Sequence, residues 1–388
     1  MNRIFENTAT AFALKSDAEL ERAYYLFKLI SNEPLVKIGT GLTNFAIKAK
    51  LPVEGIIRTT VFDHFCGGVT EEDCMPVIEK MGQAGVSTVL DYSVEGKDTE
   101  DPLDNALQKT LQIMEFVQKY KTMPFAVFKP TGYGRFALFQ KISSGEPLNS
   151  KEQAEWDRVV RRFDTTCKKA YDLGISLLID AEESWMQDAA DQLVEEMMRA
   201  YNVKDRIVYN TLQMYRWDRM DYYKGLLEKA RGENFKLGIK IVRGAYLEKE
   251  NQRAEIKKYR SPICPTKSAT DANFDSALKF SLDNLDCVSL FAGTHNEASS
   301  YLLMKEMHLR QLPKNDSRIW FGQLYGMSDH ISYNLAQAGY QVCKYLPFGP
   351  VRDVMPYLIR RAEENTSVAG QTNRELELLK KERARRKL

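Results

Sequence analysis

The sequence predicts an α/β fold, a closed (β/α)8 barrel of the TIM type, with a helical arm before it and a charged tail after it. Three observations carry that expectation. Eight short β-branched or aromatic runs follow one another between residues 86 and 349. Longer amphipathic stretches lie between them, with room for crossover helices. Polar or charged side chains stand at or just beyond the C-terminal end of each run. Strands that are apolar almost throughout belong to parallel sheets, and eight in succession favour closure into a barrel over an open sheet.

Taken in order, residues 1–84 read as a helical N-terminal arm, in which ELERAYYLFKLI places Leu20, Tyr24, Leu26, Phe27 and Ile30 at roughly helical spacing. FDHFCGGVTEEDC breaks that pattern at Gly67 and Gly68 and restarts at Thr70, an N-cap followed by acids. One strand-like run, IIRTTVF (56–62), is assigned to the arm. The barrel spans 85–365, on the runs VSTVLDYS (86–93), PFAVFKP (124–130), ISLLIDAEES (175–184), RIVYNTLQ (206–213), LGIKIVRGAY (237–246), VSLFAGTHN (288–296), RIWFGQLYG (318–326) and QVCKYLPFG (341–349). Helical patterns separate them, such as Leu103, Leu107, Leu111 and Met114, or Trp185, Ala189, Leu193 and Met197. Ser150 and Gln153 predict a capping box at the start of the long helix before the third strand. The tail, 366–388, reads as a linker, SVAGQTN (367–373), and a charged helix ending KKERARRKL, a solvated or frayed end.

Composition bounds the function. The 388 residues are 44% hydrophobic and 28% charged, as in soluble globular proteins. A net charge of +2 argues against a dedicated nucleic-acid binder. Six cysteines, at 66, 74, 167, 264, 287 and 343, form no CxxC pair, which fits a reducing compartment and no metal site. The N-terminus shows no signal or transit peptide, and no run reaches the roughly 20 apolar residues of a membrane span. These features predict a soluble, cytoplasmic protein, at most peripheral at the inner face of a membrane.

The strand-end groups are Asp91 and Glu95; Lys129; Asp180, Glu182 and Glu183; Gln213; Arg243 and Tyr246; Thr294, His295 and Asn296; Gln323 and Tyr325; and Tyr345. Any one of them could simply solvate a strand end, but eight sets together point to the barrel face that carries chemistry. Lys129, Lys240, Arg243, Arg360 and Arg361 are cationic, while Glu95, Asp180, Glu182, Glu183 and Glu364 are anionic. That mixture suits a zwitterionic small molecule with a phosphate-bearing cofactor. In YLPFGPVRDVMPYLIRRAEEN, positions 357, 360, 361 and 364 share one helical stripe. Arg360 and Glu364 there read either as a surface ion pair or, flanked by Tyr357, Leu358 and Ile359, as part of a clamp for a carboxylate or phosphate. Lys129 also fits a Schiff-base aldolase-type barrel. An interaction scaffold using the arm and tail would leave the strand-end groups without a role. No Walker or GxGxxG pattern is present.

Tyr345, Pro347, Gly349, Tyr357, Leu358, Arg360, Arg361, Glu364 and Asn365 match the signature Y-x-P-x-G…Y-L-x-R-R-x-x-E-N. With FKP (128–130), IDAEES (179–184), VRGAY (242–246), TK…TD (266–271) and GTHN (293–296), they make the chain resemble FAD-dependent proline dehydrogenases of the monofunctional, eukaryotic-like type. The resemblance covers roughly residues 60–365. It implies a distorted (βα)8 barrel with the last helix over the flavin. It also implies oxidation of L-proline to Δ1-pyrroline-5-carboxylate by hydride transfer to flavin N5, with electrons passed to quinone. A separate pyrroline-5-carboxylate dehydrogenase would then take the product.

Carried over by position, the resemblance makes Asp180, Lys240 and Lys129 catalytic. Lys129, Arg360 and Arg361 would hold the proline carboxylate, Glu95 would pair with an arginine of the last helix, and Tyr345 and Tyr357 would wall the ring. In relatives that prefer hydroxyproline a smaller residue replaces the first tyrosine, so Tyr345 favours proline. Gln213 would meet the flavin pyrimidine edge. Arg243, Gly244, Ala245, Thr294, His295 and Asn296 would line the rest of FAD, with Ala181, Tyr246, Lys267, Gln323 and Glu364 completing the cofactor set. Bifunctional bacterial members have arginine where this chain has Lys240 and lysine where it has Arg243; eukaryotic-type members share the arrangement seen here.

Overall fold

The β-branched and aromatic runs become eight strands in the computed structural model: β1 Val86–Tyr92, β2 Phe125–Phe128, β3 Ser176–Ile179, β4 Val208–Gln213, β5 Leu237–Val242, β6 Val288–Gly293, β7 Ile319–Leu324 and β8 Val342–Phe348. They close into a barrel in chain order. The structure describes residues 3–31, 55, 61–92, 99–367 and 369–388, with side chains except at 360–371. The helices are α1 Thr8–Ala11, α2 Asp17–Ile30, α3 Glu71–Gln83, α4 Glu100–Val117, α5 Phe136–Ser143, α6 Ser150–Leu173 and α7 Ser184–Tyr201. They continue with α8 Arg219–Glu233, α9 Leu247–Lys257, α10 Lys267–Asp283, α11 Glu297–Leu309, α12 Asp329–Gln337, α13 Val351–Ser367 and α14 Ala369–Arg386.

The chain divides into two compact units, Gly96–Phe321 and Met1–Glu95 with Gly322–Leu388. In the first, strands alternate with helices, so every pairing is parallel. β5 lies between β4 and β6, with Lys240 opposite Thr211 on one side and Phe291 on the other. Aromatic side chains fill the base of this sheet: Phe125 meets Tyr209, Phe291 and Trp320 edge-on, with ring centroids 5.8, 5.3 and 5.1 Å away. The N-cap of the long helix α6 lies one residue earlier than expected. Asn149, in an extended conformation, accepts from the Lys151 and Glu152 amides while Glu152 bonds back to it, leaving Ser150 as the first helical residue. Gly174, at φ +65°, ends the same helix in the left-handed region.

In the second unit, β1 pairs with β8 from Val86 opposite Val342 to Tyr92 opposite Phe348. Thr70 caps α3, as the sequence predicts, and forms a capping box with Asp73; Ser16 with Glu19 forms that of α2. Of the run 56–62, residues 56–60 lie outside the described residues, and Val61 and Phe62 are helical, leading into a single turn at Asp63–Phe65.

The tail differs from expectation. α13 reaches Ser367 and α14 starts at Ala369, so most of the predicted linker is helical. The cause is an apolar face: Leu378 and Leu379 pack with Ala11, Phe12, Leu20, Ala23 and Phe27. Charge reinforces it, with Arg374 on Glu6 at 2.5 Å, Arg386 on Asp17 at 3.0 Å, and Arg383 on Glu21. Among the described residues no helix is long and apolar enough to cross a membrane.

Candidate active site

The polar groups that end β2–β6 form a linked band. Just past β3, the Asp180 amide donates to the Phe128 carbonyl at 3.0 Å, so the ladder continues one residue beyond the strand and fixes where the carboxylate points. Lys240 reaches that carboxylate from β5, Nζ to Oδ1 2.6 Å, with side-chain exposures of 7% and 17%. A lysine this buried is stable only beside a counter-charge, which Asp180 supplies.

Arg243 is the first residue after β5. Its Nε donates to Asp271 (2.7 Å), one terminal nitrogen to Thr294 Oγ1 (2.9 Å) and the other to Ser299 Oγ (3.0 Å), and its guanidinium lies 4.5 Å from the Phe274 ring centroid. Asp271 also accepts from Lys267 at 2.7 Å. Burial pushes the Asp271 carboxyl up, but the bonds from Lys267 and Arg243 prevail and hold it below its ordinary value. Thr294 Oγ1 accepts from the Asn296 amide at 3.1 Å, and Asn296 caps α11 by accepting from the Ser299 amide at 3.0 Å. Arg243 is thus locked to the N-terminus of α11.

Gly244 has φ +136°, and a Cβ there would sit 2.5 Å from the Tyr215 ring. Glycine therefore lets the main chain lie directly on a buried tyrosine. The next amide, Ala245, donates to Gln213 Oε1 at 3.3 Å, while Gln213 Nε2 donates to the Glu182 carbonyl at 2.6 Å. The Glu182 carboxylate accepts from the Thr131 amide and hydroxyl at 2.9 and 2.7 Å. Burial pushes this carboxyl up to about 7, against the opposing pull of Thr131 and Lys129.

The structure therefore joins Asp180 to Lys240, Gln213 to Ala245, and Arg243 to Thr294 and Asp271. Lys129 follows β2 and precedes the 3-10 turn Pro130–Gly132. Ala181 lies in the loop between β3 and α7, and His295 in the loop between Thr294 and Asn296. Tyr246 precedes α9, its ring 5.5 Å from the Lys249 ammonium. Lys267 opens α10 with its side chain 71% exposed.

In the other unit, Gln323 is buried in β7 and accepts from Ser332 Oγ at 2.9 Å. Tyr345 is buried on β8, and Tyr357 packs in α13 among Ile30, Phe62, Val354 and Leu358. Glu95 lies outside the described residues. Arg360, Arg361 and Glu364 fall on α13, with side chains outside those described.

Sequence reasoning passed over Ser299, Phe274, Thr131 and Lys344, and met Asp271 only inside a motif. For Asp271 a signal existed: the N-cap Thr266 and the spacing of four from Lys267. Lys344 lies in the middle of β8, wholly buried, bonded to Asp329 (2.9 Å) and to the Met327 (2.6 Å) and Leu324 (3.3 Å) carbonyls. Nothing in VCKYLPF marks it. Among the described residues no three His, Cys, Asp or Glu side chains gather as a metal site would require.

Compared with known proteins, residues 74–374 match the family model for proline dehydrogenase. The chain belongs to the proline dehydrogenase family. It is 36% identical to the carbapenem antibiotics biosynthesis protein CarD of Pectobacterium carotovorum subsp. carotovorum, over 86% of each chain. It is 30% identical to the mitochondrial proline dehydrogenase 1 of Dictyostelium discoideum, covering 99% of this chain and 75% of that one. The human mitochondrial proline dehydrogenase 1 is 41% identical over 62% of this chain and 41% of its own length. The barrel also resembles the crystal structure of proline utilization A (PutA) from Bdellovibrio bacteriovorus inactivated by N-propargylglycine. The TM-score there is 0.72 at 18% identity, over 95% of this chain and 40% of that one. This proline dehydrogenase family member is an oxidoreductase by that membership, on a barrel whose strand ends carry the polar band described above.

Proposed function

We propose that the chain oxidises L-proline to Δ1-pyrroline-5-carboxylate with FAD as its cofactor. The observation that carries this reading is the hydrogen-bonded band at the ends of β3–β6, built on the Lys240–Asp180 pair and the anchored Arg243. Its chemistry suits a dinucleotide. Three bonds fix the Arg243 guanidinium and leave two of its five N–H donors for an anion. Gly244 lets main-chain amides come close to a ligand, and Thr294 and Asn296 sit at a helix N-terminus, where anions are stabilised. Gln213 offers an amide suited to the edge of a flavin ring. Gly244, Ala245, His295, Ala181, Tyr246, Lys267, Gln323 and Glu364 complete the proposed contacts.

When bound, FAD supplies the hydride acceptor. The chain supplies position and charge. Lys129, Arg360 and Arg361 bind the substrate carboxylate, Glu95 pairs with one of the arginines, and Tyr345 and Tyr357 wall the ring, which fixes C5 for hydride loss. Lys240, oriented by Asp180, presents a fixed positive charge without any reorganisation of solvent. The substrate amine must be unprotonated, so the rate rises with pH. We assign the onward electron acceptor to a membrane quinone, met by peripheral contact, and the next oxidation to a separate dehydrogenase. Tyr345 supports proline over hydroxyproline.

The test is a visible spectrum. Purified protein should be yellow and should bleach anaerobically with L-proline; folded protein without flavin refutes the proposal. Trapping a carbonyl substrate on Lys129 with borohydride would favour the Schiff-base alternative instead.

A further inference from the structure

Glu182 lies between three of the loops that carry the proposed ligand contacts, yet nothing in the proposed reaction uses it. It is 6% exposed, and both carboxylate oxygens are engaged by one residue: Thr131 donates from its amide at 2.9 Å and from its hydroxyl at 2.7 Å. Thr131 belongs to the 3-10 turn Pro130–Gly132, whose N-cap is Lys129. The first amides of a helical turn have no intrahelical acceptor, and Pro130 has no N–H at all. The Thr131 amide is the first donor needing an external acceptor, and Glu182 supplies it. The turn closes by Gly132 donating to the Lys129 carbonyl at 2.9 Å, so fixing Thr131 fixes the main chain from which Lys129 extends.

The same residue works through its main chain in the other direction. The Glu182 carbonyl accepts from Gln213 at 2.6 Å, and Gln213 in turn accepts from Ala245. The Glu182 amide donates to Gln187 Oε1 at 2.8 Å, and Gln187 donates to Asp191 at 2.9 Å, which anchors the loop to α7. We infer that Glu182 is a positioning residue: its carboxylate sets Lys129 through Thr131, and its carbonyl sets Gln213. The inference rests on the proposed roles of Lys129 at the substrate carboxylate and Gln213 at the flavin.

The two arms make separable predictions. Side-chain replacement removes the Thr131 contact and leaves the Gln213 contact intact, so substrate binding should suffer while flavin binding does not. Glu182→Leu keeps much of the bulk but offers the Thr131 amide and hydroxyl no acceptor. It should raise the KM for L-proline about tenfold, with kcat within about threefold and the flavin spectrum unchanged. Thr131→Val removes only the hydroxyl bond and should raise KM about threefold. Since both changes break one contact, the double variant should be no worse than Glu182→Leu alone.

Unchanged KM in either single variant overturns the inference. So does an additive double variant, or a loss of flavin and kcat in step with KM, which would mark general loosening. Should Glu182→Leu fail to fold, Thr131→Val decides the question, because it leaves the buried carboxylate in place. Wild-type protein that does not bleach with L-proline would instead refute the functional reading, independently of any variant.

Discussion

Two buried lysines, one in each unit, show how the same pairing serves different ends. Lys240 and Lys344 both project from central positions of barrel strands, and both meet an aspartate, at 2.6 and 2.9 Å. Lys344 also donates to two main-chain carbonyls, and its aspartate, Asp329, is shared with Lys15 at 3.1 Å. Its side chain is 0% exposed, and its bonds tie β8 to α12, to the end of β7 and to the loop that follows β7. Asp180, by contrast, stands at a strand end with 17% of its side chain exposed. One cation is enclosed by its own fold; the other is paired at a strand end, where the proposed ligand contacts lie. Burial of the lysine alone does not separate the two pairs, whereas the place of its aspartate does: just past a strand for Asp180, at the start of α12 for Asp329.

The comparison can be broken most directly at Asp329. Asp329→Ala leaves buried Lys344 and half-buried Lys15 without their shared carboxylate and should cost about 3–5 kcal/mol of stability in chemical denaturation. A loss below about 1 kcal/mol would mean the cluster is not structural. Lys240→Ala should reverse the pattern: kcat lower by about a hundredfold, with a smaller loss of stability than at Asp329 because Asp180 reaches solvent. Equal effects of the two variants on denaturation midpoint and on kcat would erase the distinction.

Gly244→Ala brings strain into the unit of the proposed flavin contacts alone. A Cβ 2.5 Å from the Tyr215 ring and φ +136° together should cost about 1–3 kcal/mol and reduce flavin content, read from the ratio of visible to ultraviolet absorbance.

The next effect is in pH. Burial pushes the Asp329 carboxyl up, but Lys15 and Lys344 outweigh it and hold the group well below the usual carboxylate range. Its stabilisation is then complete above the unfolded carboxylate value of about 3.9 and is lost as pH falls toward the lower folded value. Wild type should lose stability over that acid range more steeply than Asp329→Asn. Parallel curves would remove Asp329 from the account. At the small end, Lys168→Ala, breaking an exposed i,i+4 pair with Asp172, should change stability by only a few tenths of a kcal/mol.

The barrel was legible because parallel strands buried on both faces leave continuous apolar runs, and each strand falls within its predicted run. Asp180, Gln213, Arg243 and Thr294 could be picked out because a polar residue just after such a run is conspicuous. Lys344 could not, since what makes it tolerable is Asp329, brought to it by the fold. The cap of α6 was misplaced by one residue because Asn149 and Ser150 are both competent caps, and only backbone conformation separates them. The docked tail was hidden for a similar reason. Leu378 and Leu379 are two apolar residues in a highly charged stretch, and the face that covers them lies in α2.

That last contact bears on the order of events during synthesis. The face formed by Ala11, Phe12, Leu20, Ala23 and Phe27 leaves the ribosome before any barrel strand, while Leu378 and Leu379 follow all eight. At about 5–20 residues per second, the arm waits on the order of tens of seconds for its cover. The β1–β8 pairing waits almost as long. Local helices and neighbouring strand–helix units can form as they emerge, but the second unit is joined only across the whole intervening chain, which slows folding. A long window of apolar exposure is thus written into the connectivity.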